Sequence, residues 1–279
     1  MRLIHTTEAL RAALAGARTT TFVPTMGNLH AGHIALVEQA RQLGGPVVVS
    51  IFVNPLQFGV GEDFERYPRT LDADCSQLEA AGCDLVFAPD VTEMYPEPQT
   101  YHVQPPLADI LCGAVRPGHF AGVCTVVLKL FNMVQPRYAI FGKKDYQQLF
   151  LLRGMTRQMN LPIEIVASDT RRAEDGLALS SRNGYLSTAE RAEAPRLHRL
   201  LTALGAELQS NASDWPAMQA AALTELHTHG WQPDYIELRS QRTLLAPTPD
   251  ETGLVLLAAA RLGQTRLIDN LEVVRRNIF

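Results

Sequence analysis

The chain has 279 residues, a length that is long for one domain and sufficient for two. Hydrophobic residues make up 46% and charged residues 19%, as is ordinary for a globular protein with a large core. The formal net charge of −4 provides no overall basic field, so nucleic acid and anionic membrane surfaces are not expected partners.

The cellular compartment is predicted from the cysteines and the N-terminal segment. The four cysteines form no CxxC pair, so neither a zinc ribbon nor a dithiol motif is supported. The first residues, MRLIHTTEALRAAL, are too often polar for a signal peptide, and no apolar run is long enough to span a membrane. We therefore expect a reduced, cytoplasmic protein without a membrane segment.

The first elements in chain order predict a strand–helix–strand unit. Residues 19–24 (TTTFVP) predict a short buried strand, and residues 33–45 carry apolar side chains at helical spacing before two glycines. Residues 46–54 (PVVVSIFVN) form a β-branched run typical of a parallel sheet covered on both faces. This succession is a βαβ unit.

The same alternation continues to residue 168. The further predicted elements are a helix end and strand over 78–89, a helix over 124–135, a strand over 137–142, a helix over 144–159 and a strand over 162–168. Such alternation predicts an α/β fold with an open, Rossmann-like parallel sheet.

The last third of the chain has a different character. Its predicted elements are two helices, over 188–208 and 214–230, and three strands, over 234–240, 253–263 and 265–274. This pattern predicts a smaller α+β domain. Charge and glycine replace apolar residues over 170–176, so we place the domains at residues 1–173 and 174–279.

Two turns at strand-to-helix junctions are candidate anion sites. In open α/β sheets, ligands bind beyond the carboxyl ends of the strands, at the points where the strand order reverses. Residues 24–33 (PTMGNLHAGH) and 141–148 (FGKKDYQQ) both lie at such junctions. Each turn offers a glycine for close backbone approach and a helix N-terminus for an anion, and the second adds Lys143 and Lys144.

The first turn carries His30 and His33, which admit several interpretations. A zinc site would need a third ligand, and no Cys or His follows at a known spacing. A nucleophilic system would need an adjacent serine or cysteine. The two rings could also merely cap the helix and pack. We favour a phosphate site, because imidazole N–H groups donate to phosphate oxygens and the helix dipole attracts the anion.

A third candidate is the glycine-punctuated loop LSSRNGYLS, residues 179–187. Ser180 and Ser181 offer hydroxyl groups, and Arg182 offers a planar fork of donors that matches phosphate oxygens. Alone, this loop would be interpreted as an ordinary polar hinge. Beside two other phosphate-compatible turns, it is a candidate for contacts to a polyphosphate.

Polar side chains near the same sheet edge could bind a small ligand through hydrogen bonds. Gln57 follows a predicted strand, and Gln147 and Gln148 fall on the first turn of a predicted helix. A glutamine amide both donates and accepts, so it can bind a hydroxyl or a carboxylate without adding charge. Asp72 and Asp74 could reach a Mg²⁺ ion, but we interpret them as solvated acids.

Several motifs together resemble one known family. PTMGNLHAGH resembles the HxGH-type signature of the nucleotidyltransferase superfamily. Its combination with SIFVNPLQFG, DFERYPRT, GHFAGVCTVVLKLFN, FGKKDYQQL and DGLALSSRNGYL is similar to the pantothenate synthetase family. The resemblance runs from about residue 20 to 190 and weakens over the C-terminal third.

That resemblance implies a Rossmann-like N-terminal domain, a smaller C-terminal lid domain and a homodimer. It implies that ATP and pantoate form pantoyl adenylate and pyrophosphate, with Mg²⁺ present. The amine of β-alanine then displaces AMP to give pantothenate. The metal ligands stay unknown.

The resemblance also implies site residues. His33, His30, Lys144 and Arg182 would be catalytic, with His33 as the proton donor. Gln57 and Gln148 would bind pantoate, and Gln57 also β-alanine. The ATP-binding residues implied are Met26, Gly27, Asn28, Leu29, His30, Ala31, Gly32, His33, Gly142, Lys143, Lys144, Asp145, Arg171, Leu179, Ser180, Ser181 and Arg182.

Two positions depart from the family pattern. Lys143 stands where the family commonly has glutamate, which reverses a charge near the nucleotide. Leu179 stands where it commonly has methionine, a change that keeps size and polarity.

Three other classes of protein remain as alternatives. One is another HxGH nucleotidyltransferase that adenylylates a different acceptor. A second is a fragment of a class I aminoacyl-tRNA synthetase, which the negative net charge and the lack of a basic stripe disfavour. The third is a nucleotide-sensing module that binds ATP without turnover.

Overall fold

The computed structural model describes residues 1–59, 61–210 and 214–275. It divides into two compact units. The first contains Met1–Lys143 and Gln148–Asp169, and the second contains Lys144–Gln147 and Thr170–Phe279. The assignment of a nucleotide-binding domain to 1–173 and a lid to 174–279 stays a prediction.

The first unit is built on a parallel sheet. Its strands are β1 (Arg2–Ile4), β2 (Thr21–Thr25), β3 (Val47–Ile51), β4 (Leu85–Phe87), β5 (Tyr138–Gly142) and β6 (Glu164–Ser168). In the described part of the chain, these six strands pair in parallel in the order β1-β4-β3-β2-β5-β6. The predicted open parallel sheet is therefore confirmed.

Helices connect successive strands of this sheet. They are α1 (Thr7–Leu14), α2 (Ala31–Gln42), α3 (Leu71–Ala80), α4 (Val91–Met94), α5 (Cys112–Val115), α6 (His119–Val134) and α7 (Tyr146–Gln158). The sheet is buried on both faces: Phe22 and Val48 belong to one hydrophobic cluster, while Val23 and Val49 belong to another. Successive strand residues point to opposite faces, so the β-branched runs supply both clusters at once.

Some element bounds differ from the sequence prediction. Helix α2 begins at Ala31, two residues before the predicted start, because His30 caps it. Strand β3 ends at Ile51, and a 3-10 helix over Pro55–Gln57 follows it. Another 3-10 turn, Lys143–Asp145, precedes α7, so the helix begins two residues later than predicted.

The second unit is an α+β fold. Its antiparallel sheet contains β7 (Trp231–Ser240), β8 (Gly253–Leu262) and β9 (Thr265–Val274), in that order. Its helices are α8 (Thr188–Glu193), α9 (Arg196–Gln209) and α10 (Trp215–Thr228). Apolar side chains of α9, α10 and the sheet share one buried cluster.

The single helix predicted over 188–208 is wrong. Helix α8 ends at Glu193 and α9 starts at Arg196, with Pro195 as its N-cap residue. Proline has no N–H to donate to the carbonyl of Arg191 and its ring blocks a continuous helix, so the chain breaks there. Within the described residues, no helix combines the length and the apolar character that a membrane crossing requires.

Candidate active site

The switch point of the parallel sheet lies between β2 and β5. Strand β2 pairs with β3 on one side and with β5 on the other, so the strand order reverses at this point. The segment from Met26 to His33 leaves the carboxyl end of β2, and β5 ends at Gly142, directly before Lys143. Within the first unit, the structure therefore brings the first predicted turn and Gly142–Lys143 of the second to the switch point, where open α/β sheets bind ligands.

A buried carboxylate shapes the turn after β2. Gly27 and Asn28 both adopt positive φ angles, +80° and +51°, and the N–H of Gly27 donates to the Thr25 hydroxyl at 3.2 Å. Asp74, which is 1% exposed, accepts the N–H of Asn28 at 2.9 Å and that of Leu29 at 2.8 Å. The Thr70 hydroxyl donates to the same carboxylate at 3.1 Å. A Cβ at Gly27 would lie 3.0 Å from Asp74 Oδ2, so this turn requires glycine.

The interpretation of Asp74 as a solvated acid is wrong, whereas Asp72 is indeed exposed. Both acids lie in the first turn of α3, so local sequence does not distinguish them. Asp74 is buried because α3 packs against the turn after β2, which local sequence does not reveal.

Replacing Asp74 by asparagine is expected to destabilise the fold by about 1–3 kcal/mol, since one of its two acceptor oxygens becomes an NH2 group that faces an N–H or O–H donor. Turnover should also fall at least about tenfold, because the turn that carries His30 loses its anchor. Thermal unfolding and steady-state rates check this, with exposed Asp72→Asn as the matched control. Equal effects of the two variants would contradict the anchoring role.

The two histidines of the turn are held by their Nδ1 atoms. His30 is the N-cap of α2, and its Nδ1 accepts the N–H of Gly32 at 3.1 Å. His33 Nδ1 accepts the N–H of His30 at 3.3 Å, and the two ring centroids are 4.1 Å apart. An Nδ1 atom that accepts an N–H carries no proton, so each neutral ring carries its proton on Nε2.

The histidines therefore do cap the helix, but capping does not compete with phosphate binding. The cap uses the Nδ1 lone pair, whereas a phosphate oxygen would accept from Nε2–H. Capping in this way fixes both the tautomer and the orientation of the rings. In its neutral form each ring carries an Nε2–H group at a helix N-terminus, where the dipole favours an anion.

Gln57 lies in the same unit and contacts the turn. Its Nε2 donates to Met26 Sδ at 3.0 Å, and its Oε1 accepts from Asn54 Nδ2 at 3.2 Å. Asn54 is 1% exposed, and the Tyr95 hydroxyl donates to its Oδ1 at 2.7 Å. Burial raises the pKa of Tyr95, so this hydroxyl stays protonated and remains a donor. These contacts set the amide of Gln57 in one orientation.

The backbone of the same 3-10 turn rests on α6. A Cβ at Gly122 would lie 2.1 Å from the carbonyl oxygen of Leu56, so only glycine allows this approach. Asn54 Nδ2 also donates to the carbonyl of Gly122 at 3.2 Å. The turn that contains Gln57 therefore packs directly against the backbone of α6.

An ion-pair network holds Gln57 from the other side. Arg116 Nε and Nη2 donate to the two carboxylate oxygens of Glu62 at 2.7 and 2.5 Å. Arg116 Nη1 lies 2.9 Å from His119 Nε2, and since arginine can only donate, that nitrogen accepts. His119 Nδ1–H therefore donates to the carbonyl of Gln57, at 2.8 Å. Sequence reasoning missed Glu62, Arg116 and His119 as site residues.

The acid in this network makes stability depend on pH. Burial raises the pKa of Glu62, but the hydrogen bonds and charge of Arg116 outweigh burial and leave that pKa below its usual value. A depressed pKa adds stability above the unfolded value of about 4.3, and this is lost as the pH falls through the folded value.

Glu62→Gln is therefore expected to lower the thermal unfolding temperature most at neutral pH. The difference from wild type should shrink as the pH falls below about 4, because the wild-type carboxylate then becomes protonated. Calorimetry of both proteins across this range measures the difference. A difference that stays constant with pH would contradict the charge-based role of Glu62.

The second unit carries the candidate loop and one of the two lysines. The Arg171 carbonyl accepts the N–H of Leu179 at 2.9 Å, so residues 171–179 form a closed turn. Ser180 Oγ accepts the N–H of Arg182 and caps the 3-10 helix Ser181–Tyr185. The two lysines differ: Lys143 Nζ lies 3.0 Å from Asp169 in the first unit, whereas Lys144 belongs to the second.

The described residues include no group of three or more His, Cys, Asp or Glu side chains placed to hold a metal ion. All four cysteines are free thiols. Burial raises the pKa of Cys83 and of Cys124 to about 12, so neither forms a thiolate at neutral pH.

The fold and the turn after β2 place the protein among the Rossmann-like α/β proteins. A parallel α/β sheet with a glycine turn and a helix N-terminus at its switch point is a Rossmann-like arrangement. The histidine pair of the HxGH type lies at that helix N-terminus.

Comparisons with known proteins identify the family. The pantoate-beta-alanine ligase family model matches residues 2–272. Pantothenate synthetase of Thiobacillus denitrificans is 62% identical over 98% of this chain and 97% of that protein. The chain belongs to the pantoate-beta-alanine ligase family, so the resemblance inferred from its motifs is confirmed.

Solved structures agree with this assignment. Pantothenate synthetase from Thermus thermophilus aligns with a TM-score of 0.92 at 49% identity, covering 98% of this chain and 100% of that chain. Pantoate-beta-alanine ligase from Francisella tularensis, complexed with beta-gamma ATP and beta-alanine, aligns with a TM-score of 0.81 at 31% identity. That alignment covers 98% of this chain and 97% of the other.

Proposed function

We propose that the chain condenses pantoate with β-alanine in an ATP-dependent ligase reaction that passes through pantoyl adenylate. The observation that carries this proposal is the match of residues 2–272 to the ligase family. The first step joins a pantoate carboxylate oxygen to the α-phosphorus of ATP and breaks the bond to pyrophosphate. In the second step the β-alanine nitrogen bonds to the acyl carbon, and AMP leaves.

The adenylation step brings two anions together, so donors and positive charge must offset their repulsion. We assign this task to Nε2–H of His30 and His33, to the Lys144 ammonium and to the Arg182 guanidinium. The pentavalent transition state places more charge on the non-bridging oxygens than the ground state does, so donors fixed there stabilise it preferentially. His33 is proposed as the proton donor, which its Nε2–H tautomer supports.

The remaining assignments concern binding. Gln57 and Gln148 bind pantoate, and Gln57 also faces β-alanine. The fixed amide of Gln57 supports this role, because it can donate to a carboxylate without reorganising. The ATP contacts are assigned to residues 26–33, 142–145, 171 and 179–182.

The aminolysis step needs no protein nucleophile, because the adenylate is already activated. The chain's part is to hold the free amine of β-alanine near the acyl carbon, and orientation of this kind contributes about 7–11 kcal/mol in favourable cases. Water must be excluded from the adenylate, a task that we assign to residues 179–187.

Mg²⁺, assembly and compartment complete the proposal. The acid nearest the turn, Asp74, is engaged by two backbone N–H groups and a hydroxyl, so it does not fit a protein cage for the ion. We therefore assign Mg²⁺ to the substrate, as MgATP, since this ion commonly binds through phosphates and water. The protein is proposed to act as a cytoplasmic homodimer.

The test is exchange of labelled pyrophosphate into ATP with pantoate alone, without β-alanine. Exchange that requires pantoate would establish the acceptor and the adenylate together. Exchange with another carboxylate but not with pantoate would overturn the assignment in favour of a different nucleotidyltransferase. ATP binding with no exchange under any condition would overturn it in favour of a nucleotide-sensing module.

A further inference from the structure

Strand β9 carries two adjacent buried polar side chains. Asp269 is 5% exposed and Asn270 is 6% exposed, in a strand whose other buried positions are mostly apolar. Neighbouring residues of a strand point to opposite faces of the sheet. The two side chains therefore serve different faces, and each must find its hydrogen-bond partners there.

On one face, β9 holds the segment that contains Lys144. Asn270 Nδ2 donates to the carbonyl of Lys144 at 2.9 Å. Two residues further along the same face, Glu272 Oε1 accepts from the Tyr146 hydroxyl at 3.2 Å. The segment 144–146 is thus tied to the strand at two points, through the backbone carbonyl of Lys144 and the side-chain hydroxyl of Tyr146, both within the second unit.

On the other face, β9 holds the segment that contains Arg171. The Asp269 carboxylate accepts from Arg172 Nη1 at 2.6 Å and from Nη2 at 2.8 Å. Arg172 Nη1 also donates to the carbonyl of Gly176 at 3.1 Å, and its backbone pairs with Ala178. This two-point pairing is both directional and strong, because both groups are charged.

A histidine beside this pair does not compete for the carboxylate. His198 Nδ1 lies 3.6 Å from Asp269 Oδ2. Burial and then the charge of Arg172 lower the pKa of His198, and the opposing pull of Asp269 does not reverse this. The imidazole is therefore neutral at neutral pH, and Arg172 remains the cationic partner of Asp269.

We propose that Asn270 and Asp269 are positioning residues for the nucleotide, which set Lys144 and the segment 171–182 in one fixed arrangement within the second unit. The inference rests on the proposed function, because Lys144 and Arg171 are nucleotide contacts only there. The physical reason is rigidity: two segments bonded to adjacent residues of one strand cannot shift independently. Displacement of a catalytic group by about 1 Å can cost about a hundredfold in rate.

The decisive variant is Asn270→Asp. It keeps the size of the side chain but replaces the donor by an anion that faces the Lys144 carbonyl oxygen. Pantoate-dependent pyrophosphate exchange is expected to fall about ten- to a hundredfold. Aminolysis of preformed pantoyl adenylate by β-alanine should change less than about threefold, because Lys144 acts in the phosphoryl step.

Two further variants complete the test: one is a matched control, and the other probes the contact of Asp269. Asn160→Asp makes the same chemical change at an exposed turn of the first unit, where it should alter neither half-reaction. Arg172→Lys keeps the charge beside Asp269 but loses the planar fork, and it should raise the KM for ATP more than it lowers kcat. Thermal unfolding of each variant measures stability separately.

The outcomes distinguish this inference from the proposed function. Wild-type protein without pantoate-dependent exchange would overturn the proposed function and the positioning role with it. Active wild type with normal exchange in Asn270→Asp would overturn the positioning role alone. Equal losses in both half-reactions, together with a lower unfolding temperature, would assign the contacts to stability only and also overturn it.

Discussion

His33→Ala is expected to lower pantoate-dependent pyrophosphate exchange by roughly 10²–10³-fold, as the loss of one fixed transition-state donor does elsewhere. The same change removes the acceptor for the N–H of His30, so α2 should lose about 1 kcal/mol of capping stability. Exchange rates and thermal unfolding measure the two effects independently.

The capping geometry offers a way to separate the two roles of the histidines. His30→Asn keeps a side-chain acceptor at the N-cap, where asparagine is among the best residues, but removes Nε2–H. This variant should be as stable as wild type and still lose exchange to a similar extent. His33→Gln is its counterpart, since glutamine at this position completes a capping box.

Near-normal exchange in both His33→Ala and His30→Asn would contradict the phosphate role and leave the pair as a helix cap. Loss of activity that follows loss of stability, without exception across the variants, would lead to the same conclusion.

Lys144→Ala is expected to lower exchange by roughly 10²–10³-fold, because its ammonium would offset charge that develops in the transition state. Lys144→Arg should recover only part of this activity, since the guanidinium is planar and differs in shape from a compact ammonium. Single-turnover measurement of adenylate formation gives the effect on chemistry without that of product release.

Two other lysines provide the comparison for this variant. Lys129 lies in α6, where its Nζ donates to Gln99, and Lys129→Ala should not alter exchange. Lys143 pairs with Asp169 in the first unit, so Lys143→Ala should cost far less than Lys144→Ala. A larger effect at Lys143 than at Lys144 would show that the roles of the adjacent lysines are reversed.

Much of the first unit's architecture could be predicted, because parallel strands that are buried on both faces consist largely of β-branched residues. Strand β3, with the sequence VVVSI, is the strongest example. The edge strand β1 escaped prediction, since three residues, RLI, are too short to show a period. The break at Pro195 is not predicted, although proline marks it, because residues that favour helix, such as alanine, glutamate and arginine, occur on both sides.

Some residues of the candidate site could likewise be proposed from the sequence, and others could not. The histidine turn, the lysine turn and the glutamines could be recognised because each lies next to a strand or helix end within its own motif. Asp74, Arg116 and Asn270 could not, since their partners lie 46, 54 and 126 residues away. Nothing in the local sequence distinguishes such a residue from an exposed one of the same type.

The sequence by itself determined the family, the alternation of strands and helices, and the residues at the switch point, because all of these depend on local pattern and spacing. Tertiary structure alone decided which acids are buried and which contacts hold the turns in place. Of Asp72 and Asp74, only packing against the turn makes the second an anchor. Burial and hydrogen-bond geometry arise from residues far apart in the chain, and local composition does not encode them.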